Sequence, residues 1–179
     1  MSDIRHWKIL LATDKVYNMQ EQGTMLVEHY EALPFFQGLS SDELDLLRAL
    51  FAVCDVCAGE ALFAQGKPAE YLYIVLHGNV DVNFKPDDGP PLTVAHVESG
   101  GIVGWSSALG SLTYTSGAAA ITDTRLLRIR GDDLRNICER YPATGAVLLD
   151  RLAAVIAERL RNTHPQVKAM LESALGPNP

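Results

Sequence analysis

The feature that most constrains this chain is the rhythm of residues 51–130. FAVCDVCA, EALFAQG, YLYIVLHG, NVDVNF, LTVAHVE, GAAAITD and RLLRIR follow one another as brief apolar or alternating runs. Turn residues divide them: Gly59, Gly66-Lys67-Pro68, Gly78-Asn79, Pro86-Asp87-Asp88-Gly89 and Gly100-Gly101. Short strands at this spacing predict an antiparallel sandwich or barrel. YLYIVLH and NVDVNF read as a hairpin turning at Gly78-Asn79.

Helical periods flank this region. Ile4, Trp7, Leu10 and Leu11, then Met25, Leu26, His29, Tyr30 and Leu33, predict one or two helices over residues 1–33, an extension that packs on its own domain or on a partner. Ser40 and Glu43 stand at capping-box spacing before a helix that buries Leu44, Leu47 and Leu50. After Gly131, Asp132 is placed to cap a short helix ending near Arg140. Pro142 suits the first turn of the next helix, residues 143–162, whose wide stripe contains Leu148, Leu149, Leu152, Ala153, Val155, Ile156 and Leu160. A stripe that wide serves both the parent domain and a second surface. Pro165 breaks or kinks it, and Val167, Met170, Leu171 and Leu175 allow one more short helix before a frayed tail. The expected division is therefore an extension at 1–33, a domain at 34–162, and a short helix and tail at 163–179.

Composition excludes several classes. A chain of 179 residues that is 47% hydrophobic makes one domain with appendages around a proper core. A net charge of −7 argues against a general nucleic-acid surface. No apolar run approaches the roughly 20 residues that span a membrane. The first residues are too charged for a secretory signal. Three cysteines do not make a disulfide framework, so a reducing cytoplasm is the expected setting. Cys54 and Cys57 lie three apart on a strand and face opposite ways, which suits no shared metal. The five histidines are scattered. No nucleophile–base or Walker-type motif appears, so an enzyme is not expected.

Chemistry concentrates in residues 100–120, GGIVGWSSALGSLTYTSGAAA. A strand end, a glycine turn, a run of small hydroxyl residues and another strand make a cradle whose backbone N–H groups can point at an anion.

The order of these pieces resembles the cyclic-nucleotide-binding domain of the catabolite activator and protein kinase A regulatory-subunit superfamily. The carrying residues are Leu33-Pro34-Phe35-Phe36 with Leu39-Ser40, Gly59-Glu60, Phe63-Ala64-Gln65-Gly66, Tyr71 to Val75, Gly78-Asn79-Val80, and Gly100 with Gly104. The resemblance implies an eight-stranded jelly roll with a helical lid, a phosphate cassette opening near Gly104, and a cyclic nucleotide or another small ligand as its cargo. Its site residues are then Gly104, Trp105, Ser106, Ser107, Ala108, Thr113, Tyr114 and Thr115. The Gly-Trp-Ser string is similar to a variant cassette of some bacterial single-domain members.

The cassette departs from the family pattern at two positions. Trp105 stands where the resemblance implies the glutamate that holds the ribose, and Tyr114 where it implies the arginine that pairs with the phosphate. Arg125, Arg128 and Arg130 belong to a later strand. Trp105 either closes the pocket from inside or stacks on a flat ligand. Two functions stay open: a small-molecule sensor that dimerises through residues 143–162 and signals to a protein effector, or a ligand-free dimeric interaction module. The family's transcription factors carry a DNA-reading unit after the long helix. The 17 residues after Asn162 do not accommodate one, so DNA binding is not expected.

Overall fold

The computed structural model describes residues 33–87 and 89–175, with side chains as far as residue 161. The helices expected before residue 33 lie outside the described residues. A 3-10 turn at Pro34–Phe36 leads to α1 (Ser41–Arg48). Eight strands follow: β1 (Ala52–Val56), β2 (Ala61–Phe63), β3 (Tyr71–His77), β4 (Val80–Phe84), β5 (Leu92–Val97), β6 (Ile102–Val103), β7 (Gly117–Ala120) and β8 (Thr124–Arg130). Two helices close the chain, α2 (Gly131–Arg140) and α3 (Pro142–Leu175).

The strands form two four-stranded antiparallel sheets, β1-β8-β3-β6 and β2-β7-β4-β5, stacked as a sandwich with jelly-roll character. One face of the first sheet meets the second sheet through Tyr73, Val75, Val80, Val82, Val97, Val103, Ala118 and Leu126. Its other face meets the helices: Leu72, Ile74, Leu127 and Ile129 pack against Phe35, Phe36, Leu47, Leu134, Ile137, Leu148 and Leu152. Covered on both sides, β3 reads as one continuous apolar run, with Leu72 to Val75 all buried. On β4, by contrast, Val80 and Val82 are buried while Asp81 and Asn83 alternate with them, as in a strand with one covered face.

The hairpin expected at Gly78-Asn79 does not form. β3 pairs with β6 and β8, whereas β4 pairs with β5 and β7 in the opposite sheet. The turn residues carry the chain across the sandwich. Gly78 has φ +92°, and a Cβ there would meet the Thr124 hydroxyl at 2.5 Å and the Asp123 carbonyl at 2.7 Å. Local turn chemistry marked the reversal; double-sided burial of β3 decided its partners.

The capping box before α1 is complete. The Ser40 hydroxyl accepts from the Glu43 N–H, and the Glu43 carboxylate accepts from the Ser40 N–H at 2.8 Å. The same carboxylate accepts from the Thr144 hydroxyl at 2.7 Å, joining α1 to α3. Asp132 does not cap α2. The helix starts two residues earlier, at Gly131 after Arg130, and Asp132 lies in its first turn, ion-paired to Arg135. α3 is one helix through Pro165, not a long helix followed by a short one. Proline removes one backbone donor, and the turns on either side carry the helix past it.

Candidate functional site

The cassette lies between β6 and β7, and three backbone devices shape it. Gly104 has φ +78°, and a Cβ there would press on the Tyr71 carbonyl at 2.6 Å. Glycine is therefore required, and the turn sits directly on the start of β3. The Ser107 N–H and hydroxyl both donate to the Gly104 carbonyl, at 3.1 and 2.8 Å. Leu109 N–H donates to the Trp105 carbonyl, and Ser111 N–H to the Ser106 carbonyl, which winds residues 105–111 into a compact turn.

Two helices clamp this turn. Gly131, the first residue of α2, lies so close to the Ser107 carbonyl that a Cβ would collide with that backbone. Arg135, one turn on, donates to the same carbonyl. From α3, Arg159 lays its guanidinium 4.3 Å from the centroid of the Trp105 ring and donates to the Ile102 carbonyl at 2.7 Å. Burial pulls the Arg159 pKa down to about 10, which leaves the charge intact at neutral pH.

Besides Gly104, the predicted site residues divide in four directions. Ser106, Ser107 and Ala108 are buried in the turn itself. Ser106 Oγ lies 3.3 Å from the Thr115 hydroxyl and accepts from the Thr115 N–H, so the two ends of the cassette meet there. Thr113 and Thr115 are exposed. Trp105 turns toward the helices and packs half-buried against the helical core. Tyr114 turns the other way, between the sheets, and is only 4% exposed.

Tyr114 is held through both its ring and its hydroxyl. Its ring stacks on Phe63 with centroids 3.9 Å apart and planes inclined by 18°. Its hydroxyl donates to the Tyr71 carbonyl at 2.8 Å and accepts from the Tyr71 N–H at 3.0 Å. Burial pushes its pKa above the ordinary tyrosine value, against the pull of the Tyr71 hydrogen bond. Tyr73, whose ring stacks with Phe63 at 5.8 Å, is pushed up by burial as well.

The later-strand arginines take separate duties. Arg125 grips Asp55 through two hydrogen bonds of 2.8 and 3.0 Å. Arg128 and Arg130 lie over the Tyr71 ring, at 4.9 and 5.7 Å from its centroid. Sequence reasoning set these two aside because they lie outside the cassette, and it missed Arg135 and Arg159. For Arg159 a signal existed: it continues the apolar stripe of Leu148, Leu152, Val155 and Ile156 with a cation. A groove of about 270 Å³ lies elsewhere, between α1 and α2, lined by Leu46, Leu50, Asp133, Ile137, Arg140 and Tyr141 among others. It shares no residue with the cassette.

The model of the cyclic nucleotide-binding domain matches residues 53–141, from β1 to the end of α2. Those residues belong to the cyclic nucleotide-binding domain superfamily. The cyclic AMP receptor protein of Thermus thermophilus is 31% identical over 128 residues, covering 72% of this chain and 57% of that protein. The chain thus spans little more than half the length of that relative. The solved structure of the Thermus thermophilus catabolite activator protein matches with a TM-score of 0.63 at 29% identity, covering 76% of this chain and 62% of that one. A cyclic nucleotide-binding domain from Methylobacillus flagellatus shares the fold with a TM-score of 0.71 at 21% identity, covering 84% of each chain. A domain of this kind is also carried by the CRP-like cAMP-activated global transcriptional regulator of Mycobacterium tuberculosis, 28% identical over 129 residues, covering 72% of this chain and 56% of that protein.

Proposed function

We propose that this domain is a small-molecule-sensing regulatory module whose cassette takes its ligand without the usual glutamate and arginine. The observation that carries the reading is the cassette itself. Its glycine turn, buried serines and helix clamps are all formed, while the two charge positions hold Trp105 and Tyr114. Losing a charge-assisted contact in a buried site costs about 2–5 kcal/mol. A cyclic nucleotide bound in the ordinary way is therefore held weakly, and the ligand must draw on the Ser106 and Thr115 hydroxyls and on the Trp105 ring.

One observation favours a second reading, a ligand-free interaction module. Tyr114 fills its own place, with both partners of its hydroxyl supplied by Tyr71. Thermal shift separates the two. Cyclic AMP, cyclic GMP and cyclic dinucleotides are added to the full chain. A ligand at 100 times its Kd adds about 2.7 kcal/mol, roughly 5–10 °C in Tm for a chain of this size. A flat response to all of them favours the second reading. The double variant Trp105→Glu with Tyr114→Arg then asks whether the cassette is only diverged. Gained cyclic AMP binding means that the cassette is diverged at those two positions, and no gain means that the pocket has been remodelled beyond them.

In either reading the domain is a homodimer through the outer stripe of α3 and speaks to a protein effector. Ala146, Leu149, Ala153 and Leu160 are exposed on that helix, at spacings of three, four and seven. This apolar line supports a helix–helix contact. Leu149→Glu with Leu160→Glu should halve the mass measured by light scattering; an unchanged mass sinks the dimer.

A further inference from the structure

Arg159 carries more than packing. It sits one turn beyond Val155 and Ile156, which anchor α3 on the helical core, and burial has removed most of its water. Burying a guanidinium is costly unless its charge and donors are answered. Two of its partners are the Trp105 ring face at 4.3 Å and the Ile102 carbonyl at 2.7 Å. Ile102 is the strand residue that enters the cassette, and Trp105 follows its obligatory glycine. One side chain of the long helix is thus tied to both ends of the glycine turn. A cation over an indole is worth most where water is excluded.

We propose that Arg159 is a lock between the long helix and the cassette: it holds the α3 segment around residues 153–161 down on Trp105. The position of that segment and the orientation of the indole are then a single variable. Any ligand that turns Trp105 undocks the segment, and any event that lifts the segment exposes Trp105. The link to a ligand rests on the sensor reading above; the lock does not, since it is a property of the protein alone.

The test uses the full chain with Trp7→Phe, which leaves Trp105 as the single indole of the two in the sequence. Acrylamide quenching reads Trp105, and amide hydrogen exchange reads residues 153–161. Arg159→Met should raise the quenching constant about two-fold and speed exchange in 153–161 about ten-fold, with residues 131–140 unchanged. Arg159→Lys, which keeps the charge and loses the planar stack, should fall between. Unchanged quenching and exchange in Arg159→Met would overturn the lock. If Arg159→Met loosens residues 131–140 as well, Arg159→Lys and Trp105→Phe decide. Acceleration confined to 153–161 supports the lock, and none refutes it. Cyclic AMP at about 1 mM forms a separate arm. Quenching that rises with it supports the sensor reading. A flat response counts against that reading and leaves the lock itself standing.

Discussion

Tyr114→Phe isolates what one hydroxyl contributes to the cassette. The variant keeps the ring, so the stack on Phe63 at 3.9 Å survives. It removes the oxygen that accepts from the Tyr71 N–H and donates to the Tyr71 carbonyl. Both groups lie under a residue only 4% exposed, where water does not readily replace the phenol. A buried backbone group left without its partner costs about 1–3 kcal/mol. Relaxation lets one of the two recover part of its bonding, so the expected loss is about 2 kcal/mol. For a chain of this size that is a fall of about 4–8 °C in Tm. Urea unfolding followed by far-UV circular dichroism should show the same loss in midpoint at constant slope. A Tm within about one degree of wild type would refute the reasoning, since it would mean that water reaches Tyr71 or that the phenol is not held there. Tyr114→Arg, measured beside it without ligand, should lose more, because it puts a charge on the Phe63 face.

The remaining predictions concern pH, a turn and a cap. Burial raises the pKa values of Tyr73 and Tyr114 above the ordinary value of about 10. The stability they contribute is whole below pH 10 and lost as pH rises through the folded-state values; urea midpoints from pH 8 to 11 should fall, and less steeply in Tyr114→Phe. Gly78→Ala forces a Cβ into Thr124 and Asp123 at positive φ and should cost at least about 2 kcal/mol in unfolding free energy, whereas Gly59→Ala, with nothing within 4 Å of its Cβ, should cost about 1. Ser40→Ala should cost about 1 kcal/mol through the lost cap, measured by denaturant unfolding. Hydrogen bonds from the Ser40 backbone, Thr144 and the Ser40 hydroxyl lower the Glu43 pKa. Its contribution is therefore present above the unfolded carboxylate value and disappears as pH falls through the lowered one; wild-type stability should drop across that acid range more than that of Glu43→Gln.

The alternation of short runs between turns was enough to place all the long strands and the sandwich class, because strand period and turn residues are local properties of the chain. The capping box was legible for the same reason: its donors and acceptors lie three residues apart. The resemblance assigned the cassette to residues 104–115; of these, residues 105–111 wind into a compact turn. Sequence order alone could not say that Trp105 and Tyr114, nine positions apart, would turn to opposite sides of it. Nor could it tell that Gly78-Asn79 joins two sheets and makes no hairpin. Which strand pairs with β3 depends on both of its faces being buried, and that is settled by elements far away in the chain. Arg135 and Arg159 reach the cassette from helices 28 and 57 residues from their carbonyl partners. Their roles exist only once the helices are packed, because a guanidinium gains its worth from a desolvated carbonyl and an indole face that only tertiary burial can supply.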